Sequence, residues 1–146
     1  MDDFVARAQM TINAPVGHVW EALTEPRLIK QYMFGTDVDT TWEPGSPIVY
    51  RGEWQGTQYA DTGKVLEFEP HRLIRSTFFS SLSGKEDRPE NYNTVTYELE
   101  DHGAETILTV TQDNNHSQAE ADEAQANWRM TLEGLREVVE ELAGKP

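Results

Sequence analysis

The segment from Ser117 to Leu142 constrains the fold more than any other part of the chain. Ser117-Gln118-Ala119-Glu120 has the form of a capping box, in which the Ser117 hydroxyl accepts from the backbone at residue 120 while Glu120 reaches back. Glu120, Asp122 and Glu123 also complement the positive start of a helix. Ala121, Ala124, Trp128, Leu132, Leu135, Val139 and Leu142 then recur at three- and four-residue steps, and Gly144 and Pro146 end the run. A helix of ~26 residues at ~1.5 Å each is ~39 Å long. One apolar stripe of that length has to be buried against another layer of structure.

The residues upstream supply that layer. In the segment 4–12, Phe4, Ala6, Ala8, Met10 and Ile12 alternate with Val5, Arg7, Gln9 and Thr11, the period of a strand. Asn13-Ala14-Pro15 opens a helix, since proline suits a first turn where its missing N–H has no partner to lose. Val16, Val19, Trp20 and Leu23 share one face of it, Thr24-Glu25-Pro26 breaks it, and a second short helix runs through Met33 toward a stop at Gly35. Strand patterns follow over 35–42, 48–54, 59–68, 72–79, 93–100 and 106–112. They are separated by Glu43-Pro44-Gly45-Ser46, Gln55-Gly56-Thr57, Glu69-Pro70 and Asp101-His102-Gly103-Ala104. The stretch from Ser80 to Asn91, rich in Ser, Gly, Pro and charge, reads as a mobile loop of the kind that gates cavities. Strands in a run beside segregated helices mean an α+β fold: two short helices after strand one, then a curved antiparallel sheet of about six or seven strands around the long C-terminal helix. A chain of 146 residues suits one such domain, spanning 1–146.

Composition narrows the function classes. With no cysteine, disulfides, thiolate chemistry and Cys-based zinc sites are excluded. The net charge of −14 repels phosphate backbones, so nucleic acid is not an expected partner. No apolar run approaches the ~18 residues of a membrane span. Met1-Asp2-Asp3-Phe4 lacks the basic flank and apolar stretch of a signal peptide, so a cytoplasmic location is expected. His18, His71, His102 and His116 are scattered, with no spacing that suggests a metal pair. No nucleophile elbow, phosphate loop or dinucleotide fingerprint occurs. The expectation is therefore no metal, no cofactor and no assigned catalytic residue.

Three sets of side chains remain. Glu67 with Glu69, and Glu98 with Glu100, share strand faces and suit acid–base work if buried, although such pairs more often mark the wet face of a sheet. Arg51, Glu53 and Arg75 interrupt apolar strands. An inward arginine would anchor a ligand carboxylate bidentately, whereas the plainer reading is a surface cross-strand pair. Trp42, Tyr50, Trp54, Tyr59, Phe78, Tyr97 and Trp128 combine apolar area with polar tips. That mix lines small-molecule cavities and ordinary cores alike.

Several phrases, in their order, carry a family resemblance. They are Ala14-Pro15-Val16 with Val19-Trp20-Glu21-Ala22-Leu23-Thr24-Glu25-Pro26, then Gly63-Lys64-Val65-Leu66-Glu67-Phe68-Glu69-Pro70. Glu105-Thr106-Ile107-Leu108-Thr109-Val110-Thr111 follows, and then Trp128 with Leu132 and Leu135. The chain thereby resembles the SRPBCC superfamily, which includes START-type lipid-transfer domains, birch-pollen-allergen-like proteins and aromatic polyketide cyclases. Within it the chain looks most like the Aha-type family, named for the C-terminal domain of the heat-shock chaperone ATPase activator. Two positions depart from the family pattern: Gln31-Tyr32 stands where a tryptophan pair is common, and Gly45-Ser46 where a double glycine is common.

The resemblance implies a helix-grip fold with a cavity between sheet and helix, and with it a hydrophobic small-molecule ligand. It adds two alternatives: a cyclase-like enzyme using the same cavity, and a partner of a heat-shock chaperone with a link to stress responses. The ligand-binding candidates it selects are Tyr50, Trp54, Phe78, Tyr97, Trp128, Leu132, Arg51 and Arg75. The helix stripe is small at Ala121 and Ala124 and bulky from Leu132 onward. This gradient puts the cavity toward the N-terminal half of the helix, with Trp128 as its floor and Tyr50, Trp54 and Phe78 as walls.

Overall fold

The computed structural model describes residues 4–33, 35–81 and 84–144, except for the side chain of Trp54. In chain order they form β1 (Phe4–Ile12), α1 (Val16–Thr24), α2 (Pro26–Tyr32), β2 (Asp37–Asp39), β3 (Pro47–Trp54), β4 (Thr57–Glu69) and β5 (Leu73–Phe78). A single 3-10 turn at Pro89–Asn91 precedes β6 (Asn93–His102), β7 (Glu105–Asn115) and α3 (Gln118–Ala143). The strands make one seven-stranded antiparallel sheet in the order β1-β7-β6-β5-β4-β3-β2. Strands β2 to β7 form an unbroken meander, and β1 closes the far edge beside β7. The architecture is α+β, as the sequence pattern implies, and of the helix-grip kind that the resemblance implies.

Alternation decides the faces of β1. Ala6, Ala8 and Ile12 are buried, while Val5, Arg7, Gln9 and Thr11 are exposed. The small Ala6 and Ala8 let α3 lie close on this edge strand. The helix also covers the edge's free donors, because Gln125 Oε1 accepts from the Arg7 N–H (3.3 Å) and Glu140 Oε2 from the Asn13 N–H (2.9 Å). An open edge would otherwise invite pairing with another chain.

Two expected elements differ in the structure. The strand expected over 35–42 shrinks to Asp37–Asp39. Thr40 and Thr41 turn their hydroxyls onto the backbone N–H groups of Trp42 (3.2 Å) and Glu43 (3.4 Å), offering the chain a turn in place of a ladder. Trp42 is held there at φ +64°, in the left-handed region, by a bond from its indole to Thr24 O (3.0 Å) and by stacking on Phe68 at 5.8 Å. The capping box is half formed. Ser117 Oγ accepts from the Glu120 N–H (3.1 Å), but the Glu120 carboxylate turns outward to Lys85 (3.2 Å).

β4 produces the curvature. Its first part pairs with β3 as far as Lys64, and its last part pairs with β5 from Val65, with a register shift between Val65 and Glu67. Gly63 sits at the handover, where a Cβ would collide with the carbonyl oxygen of Thr77. Only glycine permits this approach of the two backbones.

The core fills one end of the grip. Leu132, Leu135 and Val139 of α3 pack with Val19, Trp20 and Leu23 of α1 and Leu28, Ile29 and Tyr32 of α2, over Ile12, Ile48, Val65 and Ile74 of the sheet. Tyr32 reaches Ala22 O through its hydroxyl (2.7 Å), which satisfies its polar tip inside that core. The helices α1 and α2 thus occupy the space under the C-terminal half of α3 and leave the other half less filled.

Candidate ligand pocket

The pocket lies under the N-terminal half of α3 and has a volume of about 450 Å³. Ala124, Asn127, Trp128 and Thr131 of α3 form its helical wall, at the i, i+3, i+4, i+7 spacing of one face. The sheet contributes alternate residues of successive strands: Tyr50 from β3, Tyr59 and Asp61 from β4, Ser76 and Phe78 from β5, Val95 and Tyr97 from β6, and Gln112 from β7. Met33 and Thr36, on the connection from α2 to β2, close one end. The register brings these residues together, with Tyr50 opposite Asp61, Ser76 opposite Val95, and Val95 opposite Gln112.

The aromatic walls are locked edge to face. Tyr50 meets Phe78 at 5.7 Å and 69°, and Tyr97 meets Trp128 at 5.8 Å and 86°. Trp128 donates its indole N–H to Gln112 Oε1 (2.9 Å), Gln112 Nε2 donates to Asn115 Oδ1 (3.0 Å), and Asn115 Nδ2 donates to Phe4 O (2.8 Å). This chain of bonds ties the largest pocket side chain to β7 and the edge strand. Thr36 donates to Met33 O (2.6 Å), so the bond between Thr36 Oγ1 and the Tyr59 hydroxyl (2.6 Å) takes its proton from Tyr59. The Tyr59 ring lies on Gly52, where any Cβ would strike it.

The polar groups divide into donors and one acid. Burial, then the charge of Asp61, pushes the Tyr50 hydroxyl up to about 12, against a hydrogen bond with Ser76 that pulls it down. Burial, then the neighbouring Tyr32 and Tyr50, raises Tyr97 well above the ordinary phenol value. Both phenols therefore remain protonated at neutral pH and can donate to a ligand. Asp61 accepts two bonds from Ser81, from its N–H (2.7 Å) and its hydroxyl (2.9 Å). Those bonds fasten the start of the Ser80–Asn91 loop to the pocket rim. Further along, Tyr92 donates to Asp87 (2.6 Å) and Asn91 Nδ2 to Glu86 O (2.8 Å), so the described part of this loop is internally bonded.

The residues singled out from the sequence separate cleanly. Tyr50, Phe78, Tyr97 and Trp128 line the pocket. Leu132 does not; it is 0% exposed in the core, one turn beyond Trp128. Arg51 and Arg75 lie on the opposite face of the sheet. The side chain of Arg51 is exposed near Asp39 (3.9 Å), and Arg75 pairs with Glu67 (2.7 Å) and donates to Thr96 (3.3 Å). Neither lines this pocket, because each has the opposite strand parity to its lining neighbour, Tyr50 or Ser76. The Trp54 side chain lies outside the described residues. Asp61, Ser76, Gln112 and Thr36 were not singled out, although the first three share the parity of the aromatic residues on their sheet face and were findable from it. Among the described residues, no group of His, Asp and Glu could hold a metal ion, and no helix is long and apolar enough to cross a membrane.

Residues 13–140 match the family model described as activator of Hsp90 ATPase homolog 1-like protein. No curated protein sequence matches the chain. Among solved structures, the solution structure of ChR145 from Cytophaga hutchinsonii is 41% identical, covers 99% of this chain and 100% of its own, and superposes with a TM-score of 0.85. MLL2253 from Mesorhizobium loti, at 20% identity, covers 94% of this chain and 97% of its own with a TM-score of 0.78. CalU16 from Micromonospora echinospora, also 20% identical, covers 94% and 85% with a TM-score of 0.71. The last two share the fold alone.

Proposed function

This chain belongs to the activator of Hsp90 ATPase homolog 1-like family, and we propose that within it the protein is a binding protein for a hydrophobic small molecule held between the sheet and α3. The observation that carries this reading is the convergence of Tyr50, Phe78, Tyr97 and Trp128 with a few neutral polar groups around a space of about 450 Å³. That volume falls within the ~300–1,000 Å³ of small-molecule sites, and the mixture of apolar walls with sparse donors is the usual composition of such sites. A core in the same position would have been filled by helix side chains, as the other half of α3 is.

The test is a thermal-shift screen of lipids, flavonoids and polyketides, followed by tryptophan fluorescence titration of the hits. A true ligand raises the melting temperature in a concentration-dependent way and perturbs Trp128 emission. The Trp128→Phe protein should lose most of the fluorescence response. A confirmed ligand that binds Trp128→Ala with unchanged affinity would rule out this pocket as its site.

Family membership favours a second reading, in which the protein contacts a heat-shock chaperone. The acidic chain would make that contact electrostatically, and an ATPase assay with the chaperone at varied salt is its check.

A further inference from the structure

We propose that the pocket is selective for charge: it takes uncharged ligands that carry hydrogen-bond acceptors and rejects carboxylates and other anions, with Asp61 as the residue that enforces the choice. The inference rests on the small-molecule reading above and adds to it the class of ligand.

The lining itself carries the argument. Of the described residues around the pocket, Asp61 alone bears a formal charge, and none is Lys, Arg or His. The two arginines in the neighbouring strands, Arg51 and Arg75, belong to the other face of the sheet and neutralise Asp39 and Glu67 there. A ligand carboxylate entering the pocket would lose its water and gain no cation, the costly arrangement for a buried charge. It would also stand within the field of Asp61, whose two described hydrogen bonds come from Ser81, an uncharged donor. At short range, two like charges repel.

A neutral acceptor meets the opposite situation. Tyr97 lines the pocket and makes no side-chain hydrogen bond with the described residues, so its hydroxyl proton is available to a ligand carbonyl or ether oxygen. The amide of Asn127 and the hydroxyl of Thr131 add neutral polar groups on the helical wall, with the Thr131 proton already given to Asn127 O (2.9 Å). The recognition chemistry is that of a neutral, largely apolar molecule with a carbonyl or ether oxygen, not that of a free fatty acid.

Two fluorescent probes that differ by one sulfonate test the proposal: N-phenylnaphthylamine, which is neutral, and anilinonaphthalene sulfonate. Titrations are run at roughly 0.3 M salt, where the screening length falls to about 6 Å and the field of the whole acidic molecule is damped. The neutral probe should bind at least about tenfold more tightly than the sulfonate, a gap of about 1.4 kcal/mol. Asp61→Asn keeps an oxygen to accept from Ser81 but removes the charge. It should bring the sulfonate to within about threefold of the neutral probe, read as the ratio of the two affinities in the same protein, and circular dichroism shows that the variant is folded. Glu105→Gln, an exposed change at the start of β7, removes the same net charge away from the pocket and should leave the gap as it was. Equal binding of both probes to the wild type overturns the selectivity and leaves the pocket reading standing. A gap that Asp61→Asn fails to narrow, or that Glu105→Gln narrows as much, overturns the role of Asp61. Failure of both probes to bind takes down the small-molecule reading itself, and the selectivity with it.

Discussion

Two neighbours on α3 separate the work of pocket and core at the scale of single residues. Leu132 is fully buried beneath α1 and α2, whereas Trp128, one turn earlier, faces the pocket with its indole N–H bonded to Gln112. Leu132→Ala should therefore cost about 2–5 kcal/mol in urea unfolding and leave ligand affinity intact. Trp128→Ala should cost less than the ~3–5 kcal/mol of a buried tryptophan, because space already lies on one side of the ring, and it should weaken binding instead. The buried tyrosines give a second prediction. Burial pushes Tyr50 up to about 12 in the folded protein and raises Tyr97 well above the ordinary phenol value. An unfolded tyrosine ionises near ~10, so above that pH the unfolded chain releases protons that the native state retains. Stability contributed by these groups is complete below ~pH 10 and falls as the pH rises toward the folded values. Alkaline denaturation followed by phenolate absorbance should show a late, cooperative release, and Tyr50→Phe should flatten the decline in stability between ~pH 10 and 12.

At the scale of elements, β4 and α3 carry the strongest local requirements. Gly63 lets β4 pass from β3 to β5, and Gly63→Ala should destabilise the fold by about 3 kcal/mol or more, since the obstacle is backbone and not a movable side chain. Thermal unfolding, with Gly17→Ala as a control at an unobstructed helical glycine, separates this collision from glycine replacement in general. At the start of α3, Ser117→Ala removes the one formed half of the cap and should cost about 1 kcal/mol. These elements were largely readable in the sequence because helices and strands follow local periodicity. The α3 stripe, the β1 alternation and the β6–β7 hairpin all lie within a residue or three of where the pattern puts them. The short β2 was not readable, because two threonine hydroxyls bonded to the local backbone and a left-handed tryptophan held by Thr24 and Phe68 overrode its strand pattern.

At the scale of the whole molecule, charge sets the conditions for any protein partner. With a net charge of −14, the proposed contact with a chaperone should weaken steeply as salt rises, and any effect on its ATPase should be largely lost by about 0.5 M salt. Stimulation that persists unchanged at that salt would point to an apolar interface. The sequence by itself determined the order of the elements, the α+β class and the long capped helix, because each depends on residues close together in the chain. Only the tertiary structure decided which side of the sheet each charge occupies. Arg51 and Arg75 allowed two readings, an inward anchor or a surface cross-strand pair, and the pleat sends them to the outer face as pairs and sends Asp61 and Ser76 inward. Strand parity is local, but which parity faces the helix depends on the register of seven strands and on where α1 and α2 fill the grip, and those are contacts between residues far apart in sequence.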